Sequence, residues 1–209
     1  MSVSNRRVGW RRRWLFRLAA VFLVPAVLVV IFELSLRVFG FGSSTHAIAK
    51  REIDGRLMCC DNPDFGRGLF PTHLRSNLRP FVFPAEKPPN TYRVFVLGSS
   101  AALGSPDYAY GFGRVLDRML SDRYTEAEIE VVTVAMTAIN SHVVLPIARE
   151  CARHEPDLFI IYLGNNEVVG PFGPGTVLSR LPRQSSAVQM RIALSSTRIG
   201  QLFELLGGW

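Results

Sequence analysis

The sequence predicts an α/β fold, in which a parallel sheet lies between two layers of helices (a three-layer α/β/α arrangement) after one transmembrane helix. Three mostly apolar runs indicate the strands of the sheet, at residues 94–97, 129–134 and 158–163. The first and third are continuous apolar runs, which are typical of strands covered on both faces. Amphipathic helical patterns separate the runs. Short strand–helix–strand links favour parallel pairing with right-handed crossovers.

The amino-terminal segment predicts the transmembrane helix, over residues 14–39. It contains fifteen uncharged residues from 18 to 32, with Pro25 in the middle, where we expect a kink. Six arginines lie at or before residue 17, so we expect the tail of residues 1–13 in the cytoplasm and the chain beyond about residue 40 in the periplasm or outside the cell. A cleavable signal peptide is the alternative, although no small-residue cleavage site closely follows the apolar run.

The positive charge belongs to this tail and not to the rest of the chain. The net charge is +7, and without the six arginines 18 basic residues face 17 acidic ones. A nucleic-acid-binding domain carries its charge on the folded surface, so no nucleic-acid partner is expected. The three cysteines, Cys59, Cys60 and Cys151, match no zinc spacing, and we expect Cys151 in the core on a helix.

Residues 40–91 are predicted to form an irregular extracytoplasmic connector. Proline, glycine and asparagine are frequent there, and prolines keep strands away from the centre of a sheet. Short apolar pieces at residues 69–70 and 81–83 could add edge strands.

The folded domain is predicted at residues 92–209. A helix is expected over residues 111–124, and a second one follows the turn of residues 135–141, with Pro146 marking its first turn. The region after Gly164 is rich in loops, and a last amphipathic helix is expected over residues 187–206. Only three strands are predicted for the sheet, so we expect it to be incomplete, with exposed apolar surface and poor solubility.

Each predicted strand ends in a turn of small or polar residues. The first is Gly98-Ser99-Ser100, the second spans residues 135–141 and the third spans residues 164–167. Parallel strands bring their carboxyl ends to one edge, so a serine hydroxyl, backbone amides and an asparagine amide could converge there. Acyl transfer needs such a nucleophile and such donors for an oxyanion. Taken alone, the Gly-Ser-Ser segment is as well explained by a simple turn.

These three turns resemble the sequence blocks of the SGNH (GDSL-type) hydrolase superfamily, whose sheet is flavodoxin-like. The first block, Gly-Asp-Ser-x-x-x-Gly, is matched by residues 98–104, with Ser99 in place of the aspartate. The third block, Gly-x-Asn-Asp, is matched by residues 164–167. The glycine of the second block falls on Ala138, whose N–H can still donate if the turn allows it.

The resemblance implies a role for each matched residue. Ser100 would be the nucleophile, and its own N–H, that of Ala138 and the Asn166 side chain would form the oxyanion hole. Gly98, Gly104, Gly164 and Glu167 would be supporting residues. Residues 93–176 further resemble a bacterial, membrane-anchored subgroup in which helical (TPR-like) repeats often follow the domain.

The general base of the family is missing from its usual place. The last block, Asp-x-x-His, does not occur in the chain, whose histidines are His46, His73, His142 and His154. We expect structural roles for His142 and His154, the latter complementing the dipole at the end of a helix. Either the protein continues beyond this chain through the last block, or the site has no such base.

Two functions from different classes remain open. The first is a membrane-anchored hydrolase or O-acyltransferase that acts on ester bonds through Ser100, with an acyl ester or an acylated cell-envelope glycan as substrate. The second is a non-catalytic binding or scaffold domain with protein partners. No metal or organic cofactor is implied, and a phosphate-binding loop is disfavoured because the Gly98 turn has no lysine and lacks the required glycine spacing.

Overall fold

The computed structural model describes residues 5–70, 74, 76–176 and 185–207. It contains a three-stranded parallel sheet, a three-stranded antiparallel sheet and one long apolar helix, which confirms the mixed α/β class. The elements are α1 (Asn5–Val38), β1 (Ile48–Ile53), β2 (Arg56–Asp61), β3 (Val82–Pro84), β4 (Thr91–Gly98), α2 (Ser100–Leu103), α3 (Phe112–Arg123), β5 (Glu128–Ala135), α4 (Ser141–Cys151), β6 (Leu158–Tyr162), α5 (Ser185–Ser195) and α6 (Arg198–Leu206).

The described residues fall into two compact units. One comprises residues 5–43 and 197–207, and the other comprises residues 44–176 and 185–196. These limits differ from the predicted ones, because most of the connector belongs to the unit that holds the parallel sheet. The predicted last helix is also divided between the units. A new helix begins because the hydroxyl of Thr197 accepts a hydrogen bond from the N–H of Gly200, at 2.9 Å.

Helix α1 is the one described helix that is long and apolar enough to cross a membrane. Its candidate membrane span, Arg12–Val38, contains an 18-residue window with a mean hydropathy of 2.7. At about 1.5 Å per residue such a stretch is roughly 40 Å long, enough for a bilayer core with tilt. The helix already begins at Asn5, so part of the predicted basic tail is helical, and it continues through Pro25.

The connector is more ordered than the sequence predicts. Strands β1 and β2 form a hairpin whose two-residue turn, Asp54-Gly55, has φ values of 50° and 73°. Positive φ at both positions defines the turn type that matches the twist of a hairpin. β3 pairs with β2 where an edge strand is predicted, whereas residues 69–70 form no strand. The irregular connector is therefore a wrong prediction for residues 48–61.

The parallel sheet has the strand order β5-β4-β6, and its three predicted strands are confirmed. Alternate residues of β4 point to opposite faces. Phe95 and Leu97 pack in a cluster that includes α4, while Val94 and Val96 pack in one that includes α2. Both faces of the central strand are thus covered by helices, which explains its continuous apolar sequence.

Helices α3 and α4 are confirmed as elements, with one correction. Pro146 lies inside α4, not in its first turn, because α4 already begins at Ser141. The carboxylate of Glu167 fixes this beginning by accepting hydrogen bonds from the N–H and the hydroxyl of Ser141. Pro146 removes only the hydrogen bond that would reach the carbonyl of His142.

Strand β6 is less buried than its sequence predicts. Leu158, Ile161 and Tyr162 are all exposed, because β6 pairs only with β4 among the described strands. At the other edge of the sheet, the carbonyl of Ala135, the last residue of β5, accepts a hydrogen bond of 2.8 Å from the N–H of Arg79. An apolar edge strand with free backbone groups is the kind of surface that promotes association between chains.

Candidate functional site

The carboxyl ends of the three parallel strands lie side by side. Gly98 of β4 pairs with Ala135 of β5 on one side and with Tyr162 of β6 on the other. The structure therefore brings the three predicted turns to one edge. Because β5 and β6 flank β4, the winding direction reverses between β4 and β6. Open α/β sheets bind ligands at such a point.

Ser100 is the first residue of α2, directly beyond the bend that ends β4. Gly98 permits this bend, since a Cβ at that position would lie 2.3 Å from the carbonyl oxygen of Tyr162. Ser99 is buried, whereas Ser100 is half-buried and its hydroxyl makes no hydrogen bond to a described residue. Of the two neighbouring serines, Ser100 is the one that a substrate could reach.

Two of the supporting glycines are needed for backbone reasons. Gly104 ends α2 with φ at +87°, and a Cβ there would lie 2.5 Å from the Cα atom of Gly111. Gly164 has φ at +143° but open space around it, so only its conformation requires glycine. Both residues shape the loops and carry no chemical group toward a substrate.

Ala138 adopts a backbone conformation that alanine rarely takes. Its φ is +63°, in the left-handed region, within the turn after β5. This conformation costs a residue with a Cβ about 1–2 kcal/mol, and strained residues cluster at functional sites. The SGNH pattern expected from the sequence has a glycine at this position, and the φ of Ala138 is one that glycine adopts readily.

Asn166 lies beside this turn. Its side-chain Nδ2 donates to the carbonyl oxygen of Ile139 at 3.3 Å, and its backbone carbonyl accepts a hydrogen bond of 2.7 Å from the N–H of Gly170. A Cβ on Gly170 would lie 3.2 Å from the carbonyl oxygen of Ala138. The second N–H of the Asn166 amide is not engaged by this contact, so the side chain can still donate to a ligand.

Glu167 has a positioning role that the sequence does not reveal. Its two carboxylate oxygens accept from the N–H of Ser141 at 2.9 Å and from its hydroxyl at 2.6 Å. A carboxylate at the first turn of a helix satisfies an N–H that lacks a partner within the helix. Glu167 thereby ties the loop after β6 to the beginning of α4.

Asn140 is a further residue of this edge that our sequence analysis missed. It is fully buried, its Nδ2 donates to the carbonyl of Pro171 at 2.9 Å, and its Oδ1 has no hydrogen-bond partner among the described residues. The signal in the sequence was an asparagine directly before a helix, which usually caps that helix. Here the side chain bonds to the loop after β6 instead.

The histidines are distributed over both edges of the sheet. His142 is half-buried in the first turn of α4, beside the candidate site, and has no hydrogen-bond partner among the described residues. It is therefore not held by the hydrogen bonds that a structural histidine usually makes. His46 contacts Glu150 near the other end of α4, with 3.0 Å between Nδ1 and Oε1. His73 lies outside the described residues.

His154 is a packed structural residue, as predicted, but it does not act as a charged group at the helix end. Its ring packs edge-on against Phe83, and its Nδ1 lies 3.7 Å from the sulfur of Cys59. Burial lowers the pKa of His154 and raises that of Cys59, so both are neutral near pH 7. Burial also raises the pKa of Cys151 to about 12, which leaves an inert thiol in the core.

Comparisons with known proteins give no further identification. Neither protein-family models nor curated proteins nor solved structures match this chain. Within the described ranges, no group of three or more His, Cys, Asp or Glu side chains is arranged to hold a metal ion.

Proposed function

We propose that this chain is an SGNH-like, membrane-anchored protein that acts on ester bonds through Ser100. The substrate would be an acyl ester or an acylated glycan of the cell envelope, and the acyl group would pass to water or to another hydroxyl. Helix α1 would anchor the protein, with the arginine-rich end in the cytoplasm and the domain in the periplasm or outside the cell.

The left-handed conformation of Ala138 is the observation that carries this proposal. In the proposed oxyanion hole, a glycine would orient the donor N–H at this position, and Ala138 has a φ typical of glycine although this strains a residue with a Cβ. The amide of Asn166 lies next to it, bonded to the neighbouring carbonyl of Ile139. Two of the three proposed oxyanion donors thus lie in two loops that a hydrogen bond joins, and Ser100 follows β4, the strand between β5 and β6.

The proposed chemistry divides the roles among few groups. The Ser100 oxygen attacks the acyl carbon, and the N–H groups of Ser100 and Ala138 with the Asn166 amide stabilise the oxyanion. The alcohol leaves with the proton of the serine, and a water or a second hydroxyl then releases the acyl group from Ser100. The proton transfers require a base within reach of Ser100.

One observation favours the second candidate, a non-catalytic binding or scaffold domain. Among the described residues, no histidine is hydrogen-bonded to Ser100, and His46 and His154 are engaged at the other end of α4. A domain that only binds an acylated ligand would need the donors of Ala138 and Asn166 but no base.

Labelling of the full chain with a fluorophosphonate probe, in detergent or nanodiscs, tests the proposal. We expect covalent labelling that disappears in Ser100→Ala and persists in Ser105→Ala, a matched change at an exposed serine nearby. Absence of labelling in folded protein would refute the enzymatic function. Binding of an acylated glycan that is lost in Asn166→Ala would then support the binding function instead.

A further inference from the structure

Helix α6 is attached to the membrane helix by a specific contact. The carboxylate of Glu33 in α1 accepts hydrogen bonds from the N–H groups of Arg198 and Ile199, both at 3.0 Å. These are N–H groups of the first turn of α6, which have no partner within the helix. Glu33 also pairs with Arg37, one turn further along α1, at 2.9 Å.

A second contact holds α6 against the residues that follow α1. The side-chain amide of Gln201 exchanges two hydrogen bonds of 2.9 Å with the backbone of Ser43. Gly42 beside it has φ at +78°, and a Cβ there would lie 2.2 Å from the Gln201 side chain. The fit between α6 and the end of α1 is therefore close and specific.

The position of Glu33 sets the depth of α6 relative to the apolar stretch. Glu33 lies five residues before the end of the stretch Arg12–Val38. At about 1.5 Å per residue, its Cα lies roughly 7–8 Å inside the end of that stretch. The first turn of α6 is bonded to Glu33, so it lies near the level at which an inserted α1 would meet the boundary between acyl chains and headgroups.

The outer side of α6 has the character of such a boundary. Phe203, Leu205 and Leu206 are 70%, 69% and 74% exposed, although all three are large and apolar. Gln201 is polar and makes the contact with Ser43 described above. Phe203 and Leu206 are three residues apart and share one side of α6, whereas Leu205 follows Gln201 by four residues on the side nearer Ser43. A short helix with such an apolar side open to its surroundings and a polar contact on another side resembles helices that lie in a membrane interface.

We propose that α6 lies in the outer interfacial layer of the bilayer, with Phe203 and Leu206 inserted among the lipid chains. The occupant of this apolar surface is phospholipid, because the surface continues the exposed apolar side chains of α1 within the same unit. The anchor is then a spanning helix plus an interfacial helix. This inference rests on the insertion of α1 but not on any catalytic activity of Ser100.

The experiment uses p-benzoylphenylalanine in place of single residues of the full chain in nanodiscs of phosphatidylethanolamine and phosphatidylglycerol. After irradiation, mass spectrometry measures the lipid adducts. The positions are Phe203, Phe22 in the middle of α1, and Tyr110, an exposed aromatic residue of the other unit, which are 70%, 73% and 83% exposed. Leu206 gives an independent position on α6.

We expect adduct yields at Phe203 and Leu206 that are comparable with the yield at Phe22 and several-fold above that at Tyr110. Yields at both α6 positions no higher than at Tyr110 would overturn the interfacial placement. A missing adduct at Phe22 would overturn it as well, because α1 would not be inserted. Neither result bears on fluorophosphonate labelling of Ser100, so a failure here is distinct from a failure of the proposed enzyme.

Discussion

A buried arginine offers the sharpest test of how the α/β unit is held together. Arg93 of β4 has no exposed surface, and its guanidinium pairs with Glu130 of β5. Two further N–H groups donate to the carbonyls of His154 and Pro84, at 2.8 and 3.1 Å, and the guanidinium carbon lies 4.9 Å from the ring centre of Phe83. One side chain thus links four segments of the unit.

The change Arg93→Lys keeps the charge and removes the fork of donors. An ammonium group can keep the pairing with Glu130, but it cannot reach both carbonyls in the geometry of a guanidinium. A hydrogen bond from a charged group contributes about 1.5–3 kcal/mol, so losing these two should lower the free energy of unfolding by about 3 kcal/mol or more. That is a large fraction of the roughly 5–15 kcal/mol that stabilises a domain.

Urea unfolding of the full chain in a nonionic detergent, followed by far-UV circular dichroism, measures this difference. The matched control is Arg118→Lys, which changes an exposed arginine paired with Asp122 at 3.2 Å and should alter stability by at most about 0.5 kcal/mol. If Arg93→Lys were as mild as this control, the hydrogen bonds to the two carbonyls would not stabilise the fold as argued.

Three further changes test other parts of the structure. Burial lowers the pKa of His154 from its ordinary value of 6.5, so below about pH 6.5 the unfolded chain binds a proton more readily than the folded chain does. The free energy of unfolding should therefore fall from pH 7 to pH 5. His154→Gln should make this pH dependence weaker in unfolding curves. Ala138→Gly relieves the backbone strain at this position and should raise the free energy of unfolding by up to about 1 kcal/mol while preserving fluorophosphonate labelling. A lower free energy of unfolding would show that Ala138 is not strained. Ile161→Lys, on the exposed edge strand, should reduce aggregation in light scattering without lowering stability, whereas Ile160→Lys on the packed face should destabilise.

The parallel sheet could be predicted from the sequence because its signal is local. The apolar run of β4 is continuous since both faces of that strand are covered, and the small residues after it mark its carboxyl end. The hairpin of β1 and β2 also had a local signal, the Asp54-Gly55 pair, which our sequence analysis overlooked among the many turn residues of the connector.

Other features depend on contacts between distant residues and had no local signal. The break between α5 and α6 coincides with the hydrogen bonds that the N–H groups of Arg198 and Ile199 donate to Glu33, more than 160 residues away in the chain. An amphipathic pattern over residues 187–206 cannot show where a helix docks. The exposure of β6 likewise depends on which strands pair with it. An apolar run in the sequence does not distinguish a central strand from an edge strand.

The strain at Ala138 is held by several ties between the loops that follow β5 and β6. Asn166 bonds to the carbonyl of Ile139, Glu167 bonds to Ser141, and Asn140 bonds to the carbonyl of Pro171.

A strained backbone persists only when its surroundings determine it in this way, so the conformation is imposed by the fold and is not a local accident. The turn is left-handed at Ala138 although this residue is not a glycine, and the Glu167 carboxylate is fixed by Ser141. If the proposed likeness to SGNH hydrolases holds, Ala138 still supplies a backbone N–H and Glu167 still supplies a fixed carboxylate at the two matched positions.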